Sequence, residues 1–94
     1  MWLAEIFVTP KKNILDPQGE VIKKTLGHMG YKKVADVKQG KYFQVVINEA
    51  AKPTATVKKM CDQLLVNQII EDYIFKLEKI NIRTLILKNN GVEL

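Results

Sequence analysis

The chain has 94 residues, enough for one domain with a small core. Charged residues make up 27% and apolar residues 47%, a balance typical of globular proteins and not of disordered ones. The net charge of +5 comes from dispersed lysines, and because Arg83 is the only arginine, the composition disfavours nucleic-acid binding. No apolar run is as long as a membrane span, and the first residues do not have the pattern of a signal peptide. A single cysteine, Cys61, excludes an internal disulfide, so we expect a cytoplasmic protein.

Residues 2–9 alternate in the manner of a β-strand. One of the two faces is uniformly apolar, and we expect it to meet the core. The other face is mixed and carries Leu3 and Phe7 beside polar side chains. The apolar face consists of Trp2, Ala4, Ile6 and Val8.

A helix is predicted over residues 17–29, directly after the turn that follows the first strand. We expect Asp16 to accept hydrogen bonds from the free N–H groups at the helix start, where Pro17 suits the first helical position. Asn13 tolerates a left-handed backbone, which favours a tight exit from the strand, and Gly30 suits the left-handed position after the last turn. The apolar side of this helix consists of Val21, Ile22, Thr25, Leu26 and Met29.

Two short strands are predicted next, over residues 34–38 and 41–48, with a tight turn or bulge at Gly40 between them. One long, bent strand is the alternative. In the second strand, Tyr42 and Val46 share a face that is opposite to the face of the inward residues. The inward residues are Phe43, Val45 and Ile47.

A second helix is predicted over residues 53–65, a last strand over 69–80 and a partly ordered tail over 81–94, with an edge strand as one option for the tail. The apolar stripe of the second helix consists of Val57, Met60, Cys61, Leu64 and Leu65. The inward residues of the last strand are expected to be Tyr73, Phe75 and Leu77.

This β-α-β-β-α-β order predicts an α+β, two-layer, ferredoxin-like sandwich over residues 1–80, followed by the tail 81–94. Two helices would cover one face of the sheet and leave the other without intramolecular cover. Several apolar side chains fall on that bare face, which predicts an interface through which the protein oligomerises. Scattered surface residues without consequence are the alternative. The residues in question are Leu3, Phe7, Tyr42 and Val46.

The sequence contains no catalytic, cofactor-binding or metal-binding pattern. His28 is the only histidine, which excludes a histidine-based metal cluster, and Cys61 lies on the apolar stripe of the second helix, where we expect a core residue. Glu71 and Asp72 are neighbours in a strand, so their carboxylates point to opposite faces. The glycine spacing matches no phosphate-binding loop. We therefore expect no catalytic activity from the chain alone.

A small RNA-binding domain of the RNA-recognition-motif type is the alternative function, because that motif has the same element order and stacking aromatics on its bare sheet face. Residues 6–8 and 40–43 resemble its two sequence motifs superficially. The register does not fit, because Tyr42 shares its face with Gln44 while Phe43 points inward.

A series of short segments, taken in order and with their spacing, resembles one family. The segments are Val8-Thr9 with Lys11, residues 14–19, Leu26 before Gly30-Tyr31, Val34, Val37, Gly40-Lys41, Met60-Cys61, Leu64-Leu65, Asn67 and residues 69–73. The family is PurS, the small accessory subunit of the multi-subunit phosphoribosylformylglycinamidine synthase. The chain departs from the family pattern at Pro10, Asn13 and Gln68, and the tail 81–94 has no counterpart in it.

The resemblance implies a subunit of an ATP-dependent ligase in purine biosynthesis. That complex makes formylglycinamidine ribonucleotide from formylglycinamide ribonucleotide, ATP and glutamine. A glutaminase subunit supplies ammonia, and a synthetase subunit binds ATP and magnesium. The resemblance further implies that this chain carries no catalytic residue, forms homodimers or homotetramers, and bridges the two larger subunits so that ammonia passes between them.

We expect the self-association contacts on the outer sheet face and an exposed strand edge. We expect the polar contacts to the larger subunits at five positions. For one of these positions, Asp16, simple helix capping is the favoured alternative. The five positions are Lys11, Asp16, Gln18, Lys41 and Tyr73.

Overall fold

The computed structural model describes residues 1–89 and has an α+β fold, as predicted. Its strands are β1 (Trp2–Pro10), β2 (Lys41–Ile47) and β3 (Glu71–Lys79). Its helices are α1 (Pro17–His28), α2 (Thr54–Met60), which continues into a π-helical turn (Cys61–Leu65), and α3 (Ile82–Asn89). None of the helices within the described range is long and apolar enough to cross a membrane.

The three strands form one antiparallel sheet in the order β2-β1-β3. Phe7 of β1 lies opposite Tyr42 of β2 and Ile74 of β3, and this register places all three side chains on the same face of the sheet. We call this face the outer sheet face. The opposite, inner sheet face carries the buried side chains of β1, and α2 packs against it.

The core is small and centred on β1. Ala4, Ile6 and Val8 are buried on the inner sheet face, as the alternation of the first strand predicted. They pack against Val57 of α2 and Cys61 of the π-helical turn. The inward residues predicted for β2 and β3 are only partly buried around this centre.

The predicted strand over residues 34–38 is wrong, and so is the alternative of one long strand, because the chain has no strand between α1 and β2. The backbone N–H of Gln39 donates to Oδ2 of Asp16 at 2.7 Å, so this end of the segment is tied to the start of α1. Gly40 then lies so close to the carbonyl oxygen of Val8 that a Cβ atom there would overlap it. The sheet therefore has three strands where the sequence predicted four.

The predicted second helix changes its geometry at Cys61. The N–H of Val66 donates to the carbonyl oxygen of Cys61 at 3.0 Å, a five-residue spacing that makes the last turn π-helical. The wider turn shifts the side chains out of the α-helical register, so Leu64 is 83% exposed while Val66 enters the core. The prediction that Leu64 belongs to the apolar stripe is therefore wrong.

Helix α1 contributes no residue to the core cluster around β1, whereas α2 does. Val21 and Met29, on its predicted apolar side, are 63% and 66% exposed. The prediction that two helices cover the inner sheet face is therefore wrong for this chain on its own, since only α2 does so. The molecule is flat, with extents of 49 × 33 × 16 Å, and its radius of gyration of 16.8 Å exceeds the about 12 Å typical of a compact chain of this length.

The ends of α1 are as predicted. Asp16 accepts a hydrogen bond from the N–H of Gly19 at 3.1 Å, Pro17 begins the helix, and Gly30 has a φ of 104° after the last turn. The left-handed backbone predicted for Asn13 is wrong, because no non-glycine residue in the described range has a positive φ.

The tail forms the helix α3 and not the edge strand that was one option. The side chain of Asn81 accepts a hydrogen bond from the N–H of Thr84 at 2.9 Å, which caps the start of this helix. Of the predicted tail 81–94, residues 90–94 lie outside the described range.

Candidate functional site

The outer sheet face is one of two candidate surfaces. Its side chains come from all three strands and lie opposite one another across the sheet. The Phe7 and Tyr42 rings lie 5.0 Å apart between centroids, and the Lys76 ammonium lies 5.8 Å from the centroid of Phe7. Tyr42 Oη donates to Oε2 of Glu5 at 2.6 Å and accepts from Nε2 of Gln44 at 2.9 Å. Intramolecular contacts thus hold the aromatic pair in place on the outer sheet face.

The four residues predicted for self-association all lie on the outer sheet face, but they are not equally accessible. Tyr42 and Val46 are exposed and Phe7 is partly exposed. Leu3 is only 2% exposed, so the chain itself covers this part of the face and Leu3 offers almost no contact area. The sequence reading missed Ile74, which is 66% exposed in the same row as Phe7. The alternation of the last strand contained the signal, because Tyr73 and Phe75 point inward and Ile74 must point outward.

Partial burial and then the hydrogen bond to the Glu5 carboxylate raise the pKa of Tyr42. The phenol therefore stays a neutral hydrogen-bond donor to Glu5. Phe43 lies on the inner sheet face, next to the core, and Gln44 follows Tyr42 on the outer one. The aromatic pair that the RNA-recognition motif requires within this strand is therefore not formed, as the register predicted.

The second candidate surface is the end of the sheet at which β1 ends and β2 and β3 begin; we call it the strand-end cluster. The register places Val8 opposite both Lys41 and Tyr73, which brings the starts of β2 and β3 beside the end of β1. The cluster contains all five predicted partner contacts: Lys11, Asp16, Gln18, Lys41 and Tyr73. Sequence reasoning named these residues separately, and the antiparallel pairing brings them to one end of the molecule.

Two of the five residues, Lys11 and Tyr73, line a cavity of about 290 Å³ together with Gln68, Glu71 and Asp72. Lys11 Nζ lies 2.7 Å from Oδ1 of Asp72, and Lys41 Nζ lies 3.1 Å from Oε2 of Glu71. A backbone hydrogen bond in the turn at Asn67 and then Lys41 hold the pKa of Glu71 below its ordinary value.

Tyr73 connects the strand-end cluster to the π-helical turn. Its Oη donates to Oδ1 of Asp62 at 3.0 Å, and Gln68 Nε2 donates to the carbonyl oxygen of Asp62 at 3.1 Å. Partial burial and then the contact with the Asp62 carboxylate raise the pKa of Tyr73. The hydroxyl is thus a fixed, neutral donor at the rim of the cavity.

The remaining two residues, Asp16 and Gln18, lie at the start of α1. Gln39 reaches both, since its backbone N–H donates to Asp16 and its Nε2 donates to Oε1 of Gln18 at 2.6 Å. The N–H groups of Gln39 and then Gly19 hold the pKa of Asp16 below its ordinary value. The capping role, which the sequence reading favoured for Asp16, is the one that these bonds describe.

Within the described residues the structure contains no group of three His, Cys, Asp or Glu side chains that is suited to a metal ion. Cys61 is buried in the core, and this burial raises the pKa of its thiol, which disfavours the thiolate that a nucleophilic cysteine needs. The two candidate surfaces consist of exposed apolar, aromatic, charged and hydrogen-bonding groups, a composition suited to contacts with other molecules.

Comparisons with known proteins agree with one another. Residues 3–79 match the family model PurS, described as phosphoribosylformylglycinamidine (FGAM) synthase. The chain is 37% identical over 81 residues to the phosphoribosylformylglycinamidine synthase subunit PurS of Bacillus subtilis, a match that covers 85% of this chain and 96% of the relative. It is 33% identical over 82 residues to the PurS subunit of Methanocaldococcus jannaschii, with 85% and 99% covered.

Solved structures support the same assignment. The chain resembles Bacillus subtilis PurS with a TM-score of 0.78 at 38% identity, over 84% of this chain and 100% of that one. It also resembles a chain in the structure of PurLQS from Thermotoga maritima, with a TM-score of 0.66 at 28% identity, over 83% and 99%. From its sequence, its fold and these matches, the chain belongs to the PurS family of phosphoribosylformylglycinamidine synthase.

Proposed function

We propose that this chain is the non-catalytic adaptor subunit that bridges the glutaminase and the synthetase of phosphoribosylformylglycinamidine synthase. As a PurS subunit it serves purine biosynthesis, in a complex that is a ligase. The observation that carries the proposal is the match of residues 3–79 to this family, together with the likeness to a chain of the Thermotoga maritima PurLQS structure. ATP and magnesium belong, in this proposal, to the synthetase subunit.

Bridging has a direct physical benefit for ammonia transfer. Ammonia is small and neutral, and it is diluted and protonated once it escapes into water. An adaptor that holds the glutaminase beside the synthetase keeps the site of release close to the site of use, which raises the effective concentration of ammonia there. The contribution of the chain is then docking free energy and geometry.

The two candidate surfaces have different roles in this proposal. The outer sheet face, through Phe7, Tyr42 and Val46 beside the buried Leu3, forms the contact between copies in a homodimer or homotetramer in the cytoplasm. The strand-end cluster contacts the larger subunits. Its side chains combine opposite charges and hydrogen-bonding groups around an open cavity, a composition suited to the polar rim of an interface.

The test is assembly of the complex from purified subunits. The mass of a glutaminase and synthetase mixture, measured by light scattering in the presence of glutamine, should rise to that of a three-component complex only when this chain is added. Glutamine-dependent synthesis should rise with it. A complex of the two larger subunits that forms equally well without the chain would contradict the adaptor role.

Within the strand-end cluster, Lys11→Glu places two negative charges side by side, because Lys11 pairs with Asp72. We expect this variant to weaken complex formation about tenfold, which corresponds to about 1.4 kcal/mol. Lys58→Glu, on the exposed side of α2, is the matched control and should leave assembly unchanged. If the two variants bind the larger subunits with equal affinity, the strand-end cluster is excluded as the contact surface for those subunits.

A further inference from the structure

We propose that a basic surface on α1 and the segment after it docks an acidic surface of one larger subunit, while the strand-end cluster docks the other. The inference rests on the proposed adaptor function and deepens it, because it assigns a separate docking surface to each of the two partners. The basic surface consists of four lysines, Lys23, Lys24, Lys32 and Lys33.

The excess of positive charge is concentrated in this part of the chain, although lysines occur along its whole length. Residues 17–34 contain four lysines and one acidic residue, Glu20, so with His28 neutral they carry +3 of the net charge of +5. Fewer than a fifth of the residues thus supply more than half of the net charge. A local excess of one sign attracts a partner of the opposite sign and speeds its association.

The chain itself does not neutralise the four lysines. Their ammonium groups form no ion pair in the part of the chain that the structure describes, whereas Lys11, Lys38 and Lys41 each pair with a carboxylate. Lys23 is partly exposed and the other three are exposed. The positive charge of this surface therefore remains for a partner to neutralise.

The polar side of α1 is open to a partner. The helical spacing places Lys23 and Lys24 on the side opposite the apolar one, and Gly27 lies on that polar side one turn further along. A Cβ atom at Gly27 would meet no other atom within 4 Å. A partner can therefore approach this side of the helix without displacing a contact of the described chain at Gly27.

Beyond the end of α1, a cavity of about 460 Å³ gives the basic surface a concave part. Its lining includes Tyr31, which is 59% exposed, next to Lys32 and Lys33. The phenol and the two ammonium groups are hydrogen-bond donors, and hydrogen bonds from charged donors to carboxylates are among the strong ones. The lining is therefore suited to aspartate and glutamate side chains of a partner. The remaining lining residues are Gly30 and Val34.

An acidic protein surface fits these lysines better than a nucleic acid does. Arginine is the residue that reads bases and phosphates through paired hydrogen bonds, and the single arginine of the chain, Arg83, lies outside residues 17–34. Lysine acts as a point charge and imposes no such geometry. The partner is therefore a protein surface rich in carboxylates.

Helix α1 holds the basic surface apart from the strand-end cluster. At the start of α1, Asp16 and Gln18 belong to that cluster and are bonded to Gln39. The helix has 12 residues, which at about 1.5 Å each give a length of roughly 18 Å before the segment that carries Lys32 and Lys33. Two surfaces at opposite ends of a helix can hold two partners at the same time, as an adaptor must.

Surface plasmon resonance with each larger subunit immobilised in turn, in the presence of glutamine, tests the assignment. The double variant Lys32→Glu and Lys33→Glu should bind one of the two subunits about tenfold more weakly and the other within about twofold of the unaltered chain. Lys11→Glu, in the strand-end cluster, should show the opposite preference. The matched control is the double variant Lys58→Glu and Lys59→Glu, which reverses the charges of an exposed Lys-Lys pair in α2 and should leave both affinities unchanged.

The salt dependence of the unaltered chain gives a second readout. The Debye length falls from about 10 Å at 0.1 M salt to about 3 Å at 1 M, so salt screens the attraction between the basic surface and an acidic partner. The association rate with the subunit that the basic surface docks should fall about tenfold over this range. The rate of the Lys32→Glu and Lys33→Glu variant should fall less, because its attraction is already lost.

The free variants should have the oligomer mass and the urea midpoint of the unaltered chain. Where the glutamate variant does not, Lys32→Gln with Lys33→Gln removes the charges without reversing them and takes its place. The inference is overturned if this variant binds both larger subunits as the unaltered chain does, if Lys11→Glu weakens binding to the same subunit, or if the unaltered chain does not bind each subunit separately. Tighter binding to an RNA oligonucleotide than to either subunit would overturn it as well. In each case a three-component complex that still needs the unaltered chain would leave the adaptor role intact.

Discussion

At the scale of single residues, Asp16 and Gly40 fix the path of the chain between α1 and β2. Asp16 supplies two carboxylate oxygens to two different backbone N–H groups, one in the helix and one 23 residues later. Gly40 allows the backbone to pass against the carbonyl group of Val8. Sequence reasoning identified Asp16 as a helix cap but had no signal for its second bond, because that bond depends on the returning segment.

The capping role of Asp16 predicts a pH-dependent loss of stability in Asp16→Ala. The folded state lowers the pKa of this carboxyl, so its contribution is present above the ordinary value, near pH 4, and is lost as the pH falls through the lower folded value. The difference in urea midpoint between Asp16→Ala and the unaltered chain should therefore be larger at pH 7 than at pH 2.5. Glu49→Ala, an exposed carboxylate outside the helices and strands, is the control. A difference that does not depend on pH would contradict this account.

Two glycine substitutions with opposite expected signs test the close approach at Gly40. A Cβ atom at Gly40 would overlap the backbone of Val8, and we expect Gly40→Ala to lower the free energy of unfolding by about 1–3 kcal/mol. A Cβ atom at Gly27, in α1, meets no other atom, so Gly27→Ala should raise it by about 0.5 kcal/mol through helix propensity. Urea unfolding of both variants is the measurement, and similar effects of the two would contradict the packing at Gly40.

At the scale of elements, the local sequence pattern predicted correctly the features that depend on interactions between nearby residues. The alternation of β1 and the caps of α1 were confirmed, because strand faces and helix ends are set within a few residues. The prediction of a strand over 34–38 is wrong because a strand needs a neighbouring strand to pair with. The end of this segment is instead bonded to the start of α1. The prediction for the end of the second helix is wrong because the apolar spacing at Leu64 and Leu65 fits an α-helix, while the helix ends in a π-helical turn.

The π-helical turn makes a direct prediction about Leu64. Its side chain is exposed, so Leu64→Ala should change the free energy of unfolding by less than about 0.5 kcal/mol. An α-helical stripe would instead bury Leu64 and make the same change cost about 2–5 kcal/mol. Val57→Ala, at a fully buried position of α2, is the comparison and should cost about 2 kcal/mol. Chemical denaturation of the two variants distinguishes the geometries.

At the scale of the whole molecule, the chain is flat and exposes many large apolar side chains. Its core is centred on one strand, and both α1 and the outer sheet face carry exposed apolar side chains. Sequence reasoning placed the outer sheet face correctly, since strand alternation fixes the face. It did not predict that the apolar side of α1 is exposed, because the position of α1 depends on contacts between distant residues, such as the bond between Asp16 and Gln39.

A charge on the outer sheet face tests the proposed self-association. Ile74 is largely exposed there, and Ile74→Asp would place a carboxylate in any apolar contact between copies. We expect the dissociation constant of the oligomer to rise tenfold or more, which corresponds to at least about 1.4 kcal/mol. Lys59→Asp, on the exposed side of α2, is the control. Light scattering over a range of concentrations gives the dissociation constants of both variants. An unchanged dissociation constant for Ile74→Asp would exclude the outer sheet face as the contact between copies.

In the proposed function, the chain acts by joining two catalytic subunits and not by chemistry of its own. The most direct measurement is the rate of formylglycinamidine ribonucleotide synthesis with glutamine, divided by the rate with added ammonium salt, as this chain is titrated into the two larger subunits. We predict that the ratio rises severalfold and saturates, because only the glutamine reaction depends on transfer between subunits. A ratio that stays constant while both rates rise together would contradict the account.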